Sequence, residues 1–173
     1  MGHSRLSAVV RPATSGDLAA VGAIFAWYAE HTVSTFEQTG RTDREWARLL
    51  VHLEDLGLPF LVAVADEEVA GYAYASPWRS KPAYRHTVED SVFVAPEMTG
   101  RGIGRLLMAE LLRACADRGV RQVIAVIADT GDSASAALHE RLGFTAAGRL
   151  KAVGTKHGRW IDTLLYQRSV AAS

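Results

Sequence analysis

Three glycines fall within six positions in the segment TGRGIG, residues 99 to 104, between the apolar run SVFVAPE and the amphipathic run RLLMAELLRACADRG. Glycine allows a positive φ and lets a ligand approach the backbone closely, and N–H groups in the first helical turn have no partner within the helix. A strand, a glycine turn and a helix in this order therefore indicate a cradle for an anion. A tight strand-to-helix turn that binds nothing explains the same local sequence equally well.

The other segments predict a single mixed α/β (α+β) domain over residues 8–170, because strand and helix periodicities alternate along the chain. Capping boxes are expected at Thr14 with Asp17 and at Thr42 with Glu45. Helices are predicted at 15–31, 42–57, 103–118 and 133–143, and strands at 7–14, 59–65, 69–78, 87–96, 120–128, 144–154 and 159–170. Residues 66–68 are expected to join the second and third strands as a hairpin turn.

Two burial predictions follow from the apolar patterns. The strand at 120–128 is almost continuously apolar, which indicates burial on both faces. The helix at 103–118 is expected to bury one apolar side, formed by Ile103, Leu106, Leu107, Leu111 and Leu112.

Composition excludes several classes of partner. The chain has 173 residues with 19 basic and 19 acidic side chains, so no overall field attracts nucleic acid, and no apolar run is long enough to span a membrane. The single cysteine, Cys115, lies on the apolar side of a helix, which predicts a core thiol. The start of the chain, MGHSRLSAVV, lacks the pattern of an export signal, so we expect a cytoplasmic protein.

The glycine segment matches neither of the two best-known phosphate-binding motifs. A Walker loop ends in Gly-Lys-Ser/Thr, whereas Arg105 and Leu106 follow Gly104 here. A dinucleotide fingerprint that starts at Gly100 needs its third glycine at position 105, which is arginine here. The remaining prediction is a backbone cradle for a pyrophosphate, flanked by Arg101 and Arg105. The six histidines show no zinc-binding spacing, so we expect no metal.

At this point the residues resemble a family. TGRGIGRLL after VFV is similar to the acetyl-coenzyme A signature of the GCN5-related N-acetyltransferases, and DSASAALHERLGF resembles their second coenzyme-contacting segment. Within that superfamily, SPWRSKPAYRHTVEDSVFV and VGTKHGRWIDTLLYQ resemble the phosphinothricin and methionine sulfoximine acetyltransferases. The resemblance runs from about residue 10 to residue 167 and implies a central mixed sheet with two splayed parallel strands.

The resemblance also implies a set of coenzyme contacts. The pantetheine would lie between the strands SVFVA and VIAVI, with Val92 and Val94 offering backbone groups to its amides. Thr99 and Asp132 depart from the Gln or Arg and the Asn that the family usually has there. The implied contacts to the pyrophosphate and the second segment are Arg101, Gly102, Ile103, Gly104, Arg105, Asp132 and Ser135.

Two residues are candidates for proton transfer. An α-amine has a pKa of roughly 8, so acetyl transfer needs a base, and Glu89 aligns with the catalytic carboxylate of the family. The structural alternative is a strand glutamate paired with Arg79 or Arg85. His139 stands where many relatives have a tyrosine that protonates the departing thiolate; the alternative is a half-buried helix residue.

Basic and aromatic residues predict the acceptor site. WRSKPAYR interleaves Arg79, Lys81 and Arg85 with Trp78 and Tyr84, which favours a pocket for an acidic group over a solvated face. The resemblance adds Thr35, Phe36 and Lys156, the last reaching across a homodimer interface. Phe93 replaces a tyrosine of the phosphinothricin enzymes.

The sequence therefore predicts an enzyme that acetylates a small amino acid or its phosphinate or sulfoximine analogue, with acetyl-coenzyme A as co-substrate. Two alternatives remain open at this stage: a broader amine or protein N-terminal acetyltransferase, and a non-catalytic acyl-coenzyme A sensor.

Overall fold

The computed structural model describes residues 7–171 as one seven-stranded sheet with helices on both faces. Most of the segment in which no export signal was recognised lies outside the described residues. The strands are β1 (Ala8–Pro12), β2 (Phe60–Ala65), β3 (Glu68–Pro77), β4 (Thr87–Val94), β5 (Gln122–Ala128), β6 (Thr145–Lys156) and β7 (Arg159–Ser169). The helices are α1 (Leu18–His31), α2 (Asp43–Asp55), α3 (Ile103–Asp117) and α4 (Ala134–Arg141). The predicted mixed α/β fold is confirmed.

Local sequence signals set the element boundaries. The backbone N–H of Thr42 donates to Glu45 Oε2 at 2.7 Å, and the Glu45 N–H donates to Thr42 Oγ1, which is the predicted capping box of α2. The Thr14 N–H donates to Asp17 Oδ2 at 2.8 Å. Thr14 is the N-cap residue of a short 3-10 turn that leads into α1. These bonds satisfy N–H groups that the helices leave without partners.

The hairpin between β2 and β3 has a two-residue turn. Asp66 and Glu67 have φ values of 51° and 67°, the pair of positive angles of a type I′ turn. The predicted turn over 66–68 is thus one residue shorter in the structure, because Glu68 already pairs with Ala65.

One strand pair opens into a gap. The sheet order is β1-β2-β3-β4-β5-β7-β6, and β4 with β5 is the parallel pair among the described strands. Pairing joins Thr87–Glu89 to Gln122–Ile124 and then stops, so the carboxyl-terminal halves of the two strands diverge. The predicted splayed parallel strands are confirmed.

Two hydrophobic layers enclose the sheet. Helix α3 packs on one face, where Leu107, Leu111 and Cys115 are fully buried. Burial raises the pKa of the Cys115 thiol to about 12, in keeping with the predicted core thiol. Helices α1 and α2 cover β2, β3 and β4 on the other face. No helix within the described residues is long and apolar enough to cross a membrane.

Two burial predictions were wrong. Strand β5 alternates instead of being buried on both faces: Val123 and Ala125 are buried, whereas Val126 is 38% exposed. The reason is that α1 and α2 cover only the β2–β4 half of their face. Leu106 of α3 is also exposed, and Met108 is buried in the core instead.

Candidate active site

The gap between β4 and β5 exposes backbone polar groups of β4. The Ala95 N–H donates to Ala70 O of the β3 side, and successive residues of a strand direct their backbone groups to opposite edges. The N–H and C=O groups of Val92 and Val94 therefore face the gap. The Tyr28 hydroxyl donates to Val94 O at 2.7 Å, which occupies one of these acceptors.

The glycine turn leads from β4 to an uncapped helix. Gly100 and Gly102 have φ values of 74° and 83°, and Gly102 is the N-cap residue of α3. No side chain within residues 7–171 caps the helix, and its first turn holds no acid. Arg101 and Arg105 are exposed and form no ion pair with the described residues. The free N–H groups and the two guanidinium groups form a site suited to an anion.

The second predicted coenzyme segment, residues 132–144, contains α4. A Cβ built on Gly104 would lie 3.4 Å from Cδ2 of Leu138. Helix α4 therefore packs closely on the glycine turn. Asp132 Oδ1 accepts the N–H of Ala134 at 2.9 Å and so satisfies the first N–H group of α4. Ser135 is exposed at the start of that helix. Asp132, the departure from the family pattern, therefore has a structural bond of its own.

Glu89 is half-buried on the face of β4 that α1 and α2 cover. It forms no ion pair within the described part of the chain, so the pairing with Arg79 or Arg85 is not observed. Burial, and then the charge of Asp90, raise the pKa of Glu89. A carboxylate with a raised pKa and no cationic partner is a competent proton acceptor near neutral pH.

His139 is buried and bonded through both ring nitrogens. Its side chain is 2% exposed, with Nδ1 2.8 Å from Ser135 O and Nε2 3.1 Å from Asp90 Oδ2. Because a carbonyl oxygen only accepts, Nδ1 carries a proton, and one further proton lies between Nε2 and the carboxyl group. Burial alone would lower the pKa of His139, but the hydrogen bond and the charge of Asp90 have the larger effect, so the pKa of His139 is raised. Burial raises the pKa of Asp90, so the pair retains its shared proton.

Sequence analysis missed Asp90, although a signal was present. Side chains alternate along a strand, so Asp90 shares a face with Val88 and Val92, both of which contact the α3 core. A carboxylate between two core residues requires a partner. Residues 7–171 contain no group of three or more His, Cys, Asp or Glu side chains placed to hold a metal ion.

The segment between β3 and β4 gathers most of the predicted acceptor residues. Arg79, Lys81 and Tyr84 line a cleft of about 350 Å³ together with Ser80. Arg79 also stacks on a ring, with its guanidinium carbon 5.1 Å from the centroid of Trp78. None of the basic side chains of this segment forms an ion pair with residues 7–171.

Arg85 does not line this cleft. Its guanidinium donates to Pro82 O at 3.4 Å, within its own segment. The structure thus brings three of the four predicted residues of the segment together.

Lys156 bonds a distant segment of its own chain. Its Nζ donates to the carbonyl oxygens of Thr35 and Glu37 at 2.8 and 2.6 Å, within the same chain, and the residue is 3% exposed. Its predicted reach across a homodimer interface stays a prediction. Thr35 and Phe36 lie in the segment between α1 and α2 that Lys156 contacts.

Comparison with known proteins decides the family. The model of the acetyltransferase (GNAT) family matches residues 21–144. The chain belongs to the GNAT family of acetyltransferases. It is therefore an enzyme of the class that the sequence predicted, with acetyl-coenzyme A as its co-substrate.

Several relatives have narrower names. A phosphinothricin N-acetyltransferase of Alcaligenes faecalis is 43% identical over 169 residues, which are 98% of this chain and 86% of that protein. An L-methionine sulfoximine/L-methionine sulfone acetyltransferase of Salmonella typhimurium is 36% identical, covering 91% of this chain and 92% of that protein. The crystal structure of a phosphinothricin acetyltransferase from Sinorhizobium meliloti, in complex with acetyl-coenzyme A, matches with a TM-score of 0.92 at 41% identity, covering 96% and 90% of the two chains.

Proposed function

We propose that this enzyme acetylates the free amine of a small amino acid or analogue that also carries an acidic group, of the phosphinothricin or methionine sulfoximine type. The observation that carries this proposal is the cleft at Arg79 and Lys81, whose cations have no ion pair within residues 7–171. Such cations bind a carboxylate or phosphinate through charge-assisted hydrogen bonds. The names of the relatives support the same acceptors.

Acetyl-coenzyme A fits the other side of the site. The uncapped first turn of α3, with Gly102 as N-cap and Arg101 and Arg105 beside it, suits the pyrophosphate. The unpaired half of β4 offers the backbone groups of Val92 and Val94 to the pantetheine amides, as an added strand would use them. Ile103 and Gly104 supply further N–H groups of the cradle, and Ser135 is exposed on the neighbouring helix.

Glu89 serves as the general base in this mechanism. The acceptor enters as an ammonium, and Glu89 takes its proton directly or through a water molecule. The neutral nitrogen attacks the thioester carbonyl, the C–N bond forms and the C–S bond breaks. The second proton that the nitrogen loses as it becomes an amide ends on the departing sulfur, so the coenzyme leaves as the thiol. The raised pKa of Glu89, caused by burial and by Asp90, favours this transfer near neutral pH.

His139 receives less support as the acid that protonates the departing thiolate. Both of its ring nitrogens take part in buried hydrogen bonds, to Ser135 O and to Asp90. A thiol has a pKa of roughly 8.5, so the thiolate can leave with little acid assistance. The contacts of His139 favour a role in holding α4 against β4 beside the gap.

A panel of acceptors tests the proposed substrate class. Release of free thiol from acetyl-coenzyme A is measured with free amino acids, their methyl esters, simple amines and aminoglycosides, for the wild type and for Arg79→Ala. The loss of a charge-assisted hydrogen bond costs about 1.5 to 3 kcal/mol, so kcat/KM for the free acids should fall by roughly one to two orders of magnitude. The affinity for acetyl-coenzyme A should not change.

Arg44→Ala, an exposed arginine of α2, is the matched control and should behave as the wild type. Esters and simple amines acetylated as well as free acids, with no response to Arg79→Ala, would move the enzyme to the broader amine class. Coenzyme binding without turnover of any acceptor would favour the sensor.

We also propose that two copies associate through β6. This strand forms the edge of the sheet and is exposed along almost its whole length. Leu150 and Val153 of β6 are 48% and 52% exposed, and Trp160 at the start of β7 is 73% exposed. A long exposed edge with apolar side chains favours pairing with another chain, and a second copy provides the same surface in an isologous dimer.

A further inference from the structure

The segment between α1 and α2, residues 32–42, has no regular secondary structure. It carries Thr35 and Phe36, which the family resemblance predicts on the acceptor side. Its backbone is fixed by a residue far away in the sequence. Lys156, at the end of β6, donates through Nζ to Thr35 O at 2.8 Å and to Glu37 O at 2.6 Å. The two bonds bracket Phe36 and therefore set the direction of the backbone at that residue.

The ring of Phe36 is set by a second contact with the same strand. A Cβ built on Gly154 would lie 2.4 Å from Cε2 of Phe36, so the ring rests directly on the Gly154 backbone. Phe36 is nevertheless 40% exposed. One side of the ring is thus held by β6 while part of it stays available to a ligand.

Lys156 has little capacity left to bind an acceptor itself. An ammonium group has three donors, and carbonyl oxygens already take two of them. The residue is 3% exposed, and no carboxylate within residues 7–171 forms an ion pair with it. Burial lowers the pKa of Lys156, as expected for a cation held mainly by neutral oxygens.

From these contacts we infer that Lys156 is a positioning residue for the acceptor: it holds residues 35–37 on β6 and so fixes Thr35 and Phe36, without touching the substrate. Gly154 completes this arrangement by leaving room for the Phe36 ring. The role of Lys156 rests on the proposed function. The attachment of the segment to β6 does not.

Kinetics of Lys156→Met test the inference, because methionine keeps an unbranched side chain and removes the donors. The KM for the amino acid should rise and kcat/KM for that acceptor should fall about ten- to a hundredfold, since small displacements of a positioning group are costly. The affinity for acetyl-coenzyme A should stay within about twofold. Lys156→Arg keeps charge and donors and should restore part of the loss. Lys151→Met removes an exposed lysine of the same strand and should behave as the wild type.

Acceptors without a carboxylate separate positioning from direct binding. If Lys156 positions the segment, Lys156→Met weakens an amino acid and its methyl ester by the same factor. A loss confined to the free acid would overturn the inference, because it would mean that Nζ binds the substrate carboxylate. An unchanged acceptor KM would overturn it as well.

Gly154→Ala provides an independent variant that leaves Lys156 intact. Its methyl group displaces the Phe36 ring, so the acceptor KM should rise while coenzyme affinity is kept. If Lys156→Met does not fold, Gly154→Ala and Lys156→Arg carry the test, and a normal acceptor KM in both contradicts the inference.

Hydrogen exchange distinguishes failure of this inference from failure of the proposed function. Amides of residues 32–42 should exchange faster in Lys156→Met than in Lys151→Met, whether or not any amino acid is acetylated. A wild type that acetylates no amino acid would refute the proposed function and with it the acceptor role of Lys156, and faster exchange would still establish the attachment. Unchanged exchange would refute the attachment itself.

Discussion

Glu89 and Asp90 are neighbours in the sequence and lie on opposite faces of β4. Glu89 lies on the face covered by α1 and α2 and has no ionic partner among residues 7–171, whereas Asp90 lies on the α3 side and bonds His139. Burial raises the pKa of both carboxyl groups. The strand thus holds one carboxyl group ready for proton transfer and satisfies the other internally.

Glu89→Gln should keep acetyl-coenzyme A binding and lower kcat by about 10²-fold or more, because the amide cannot accept the proton. Thiol release and coenzyme titration measure the two quantities.

The difference in stability between Glu89→Gln and the wild type should also depend on pH. Since the folded pKa of Glu89 lies above its ordinary value of 4.5, ionisation destabilises the wild type as the pH rises through the folded pKa. The Tm of the variant minus the Tm of the wild type should therefore increase from acidic to neutral pH. Wild-type rates in the variant at every pH would leave Glu89 a structural role only.

At the scale of elements, α3 combines packing and ligand recognition. Its middle and end are buried in the core through Leu107, Leu111 and Cys115, while its first turn is left uncapped behind Gly102. An N-terminal turn without a capping side chain costs stability, because its N–H groups lack partners. That cost is consistent with a helix start kept free for an anion.

Gly102→Leu should abolish acetyl-coenzyme A binding while the protein remains folded. Gly119, beyond the other end of α3, is the matched control: the two residues have φ values of 83° and 78°, and a Cβ at either would meet nothing within 4 Å. Leucine at either position should cost about 1 to 2 kcal/mol of stability through the left-handed backbone. Only Gly102→Leu should lose the coenzyme, as measured by calorimetry. Equal coenzyme affinity in the two variants would contradict the cradle.

At the scale of the whole molecule, the two halves of the sheet are covered differently. Helices α1 and α2 cover β2 to β4 on one face, and the same face of β5 is left with Val126 exposed. Strand β6 ends the sheet as an exposed edge with Leu150 and Val153. Val126, Leu150 and Val153 are therefore exposed on the half of the sheet that α1 and α2 leave uncovered.

The proposed homodimer is measured by light scattering at assay concentration. Leu150→Glu should give a monomer, because it places a charge in the apolar part of the edge. Val51→Glu changes an equally exposed apolar residue of α2 and should remain dimeric. A fully active wild-type monomer would rule the dimer out.

The sequence alone determined the features that depend on near neighbours in the chain. The Thr42–Glu45 box and the positive φ of Gly102 are decided within a few residues, and helical or strand periodicity marks the elements. The glycine turn between strand and helix indicated an anion cradle, although the local sequence fitted an empty turn equally well. The place of Glu89 in a strand was also readable, since neighbouring strand residues alternate between faces.

Only the tertiary structure decided which distant groups meet. Lys156 lies 121 residues from Thr35, and Asp90 lies 49 residues from His139, so no local pattern specifies either bond. The exposure of Val126 likewise depends on where α1 and α2 end across the sheet, although its strand is as apolar as a fully buried one. A buried polar group takes whichever partner packing brings within reach, and burial itself belongs to the assembled layers. The partners of Lys156 and His139 were therefore settled by folding and not by local sequence.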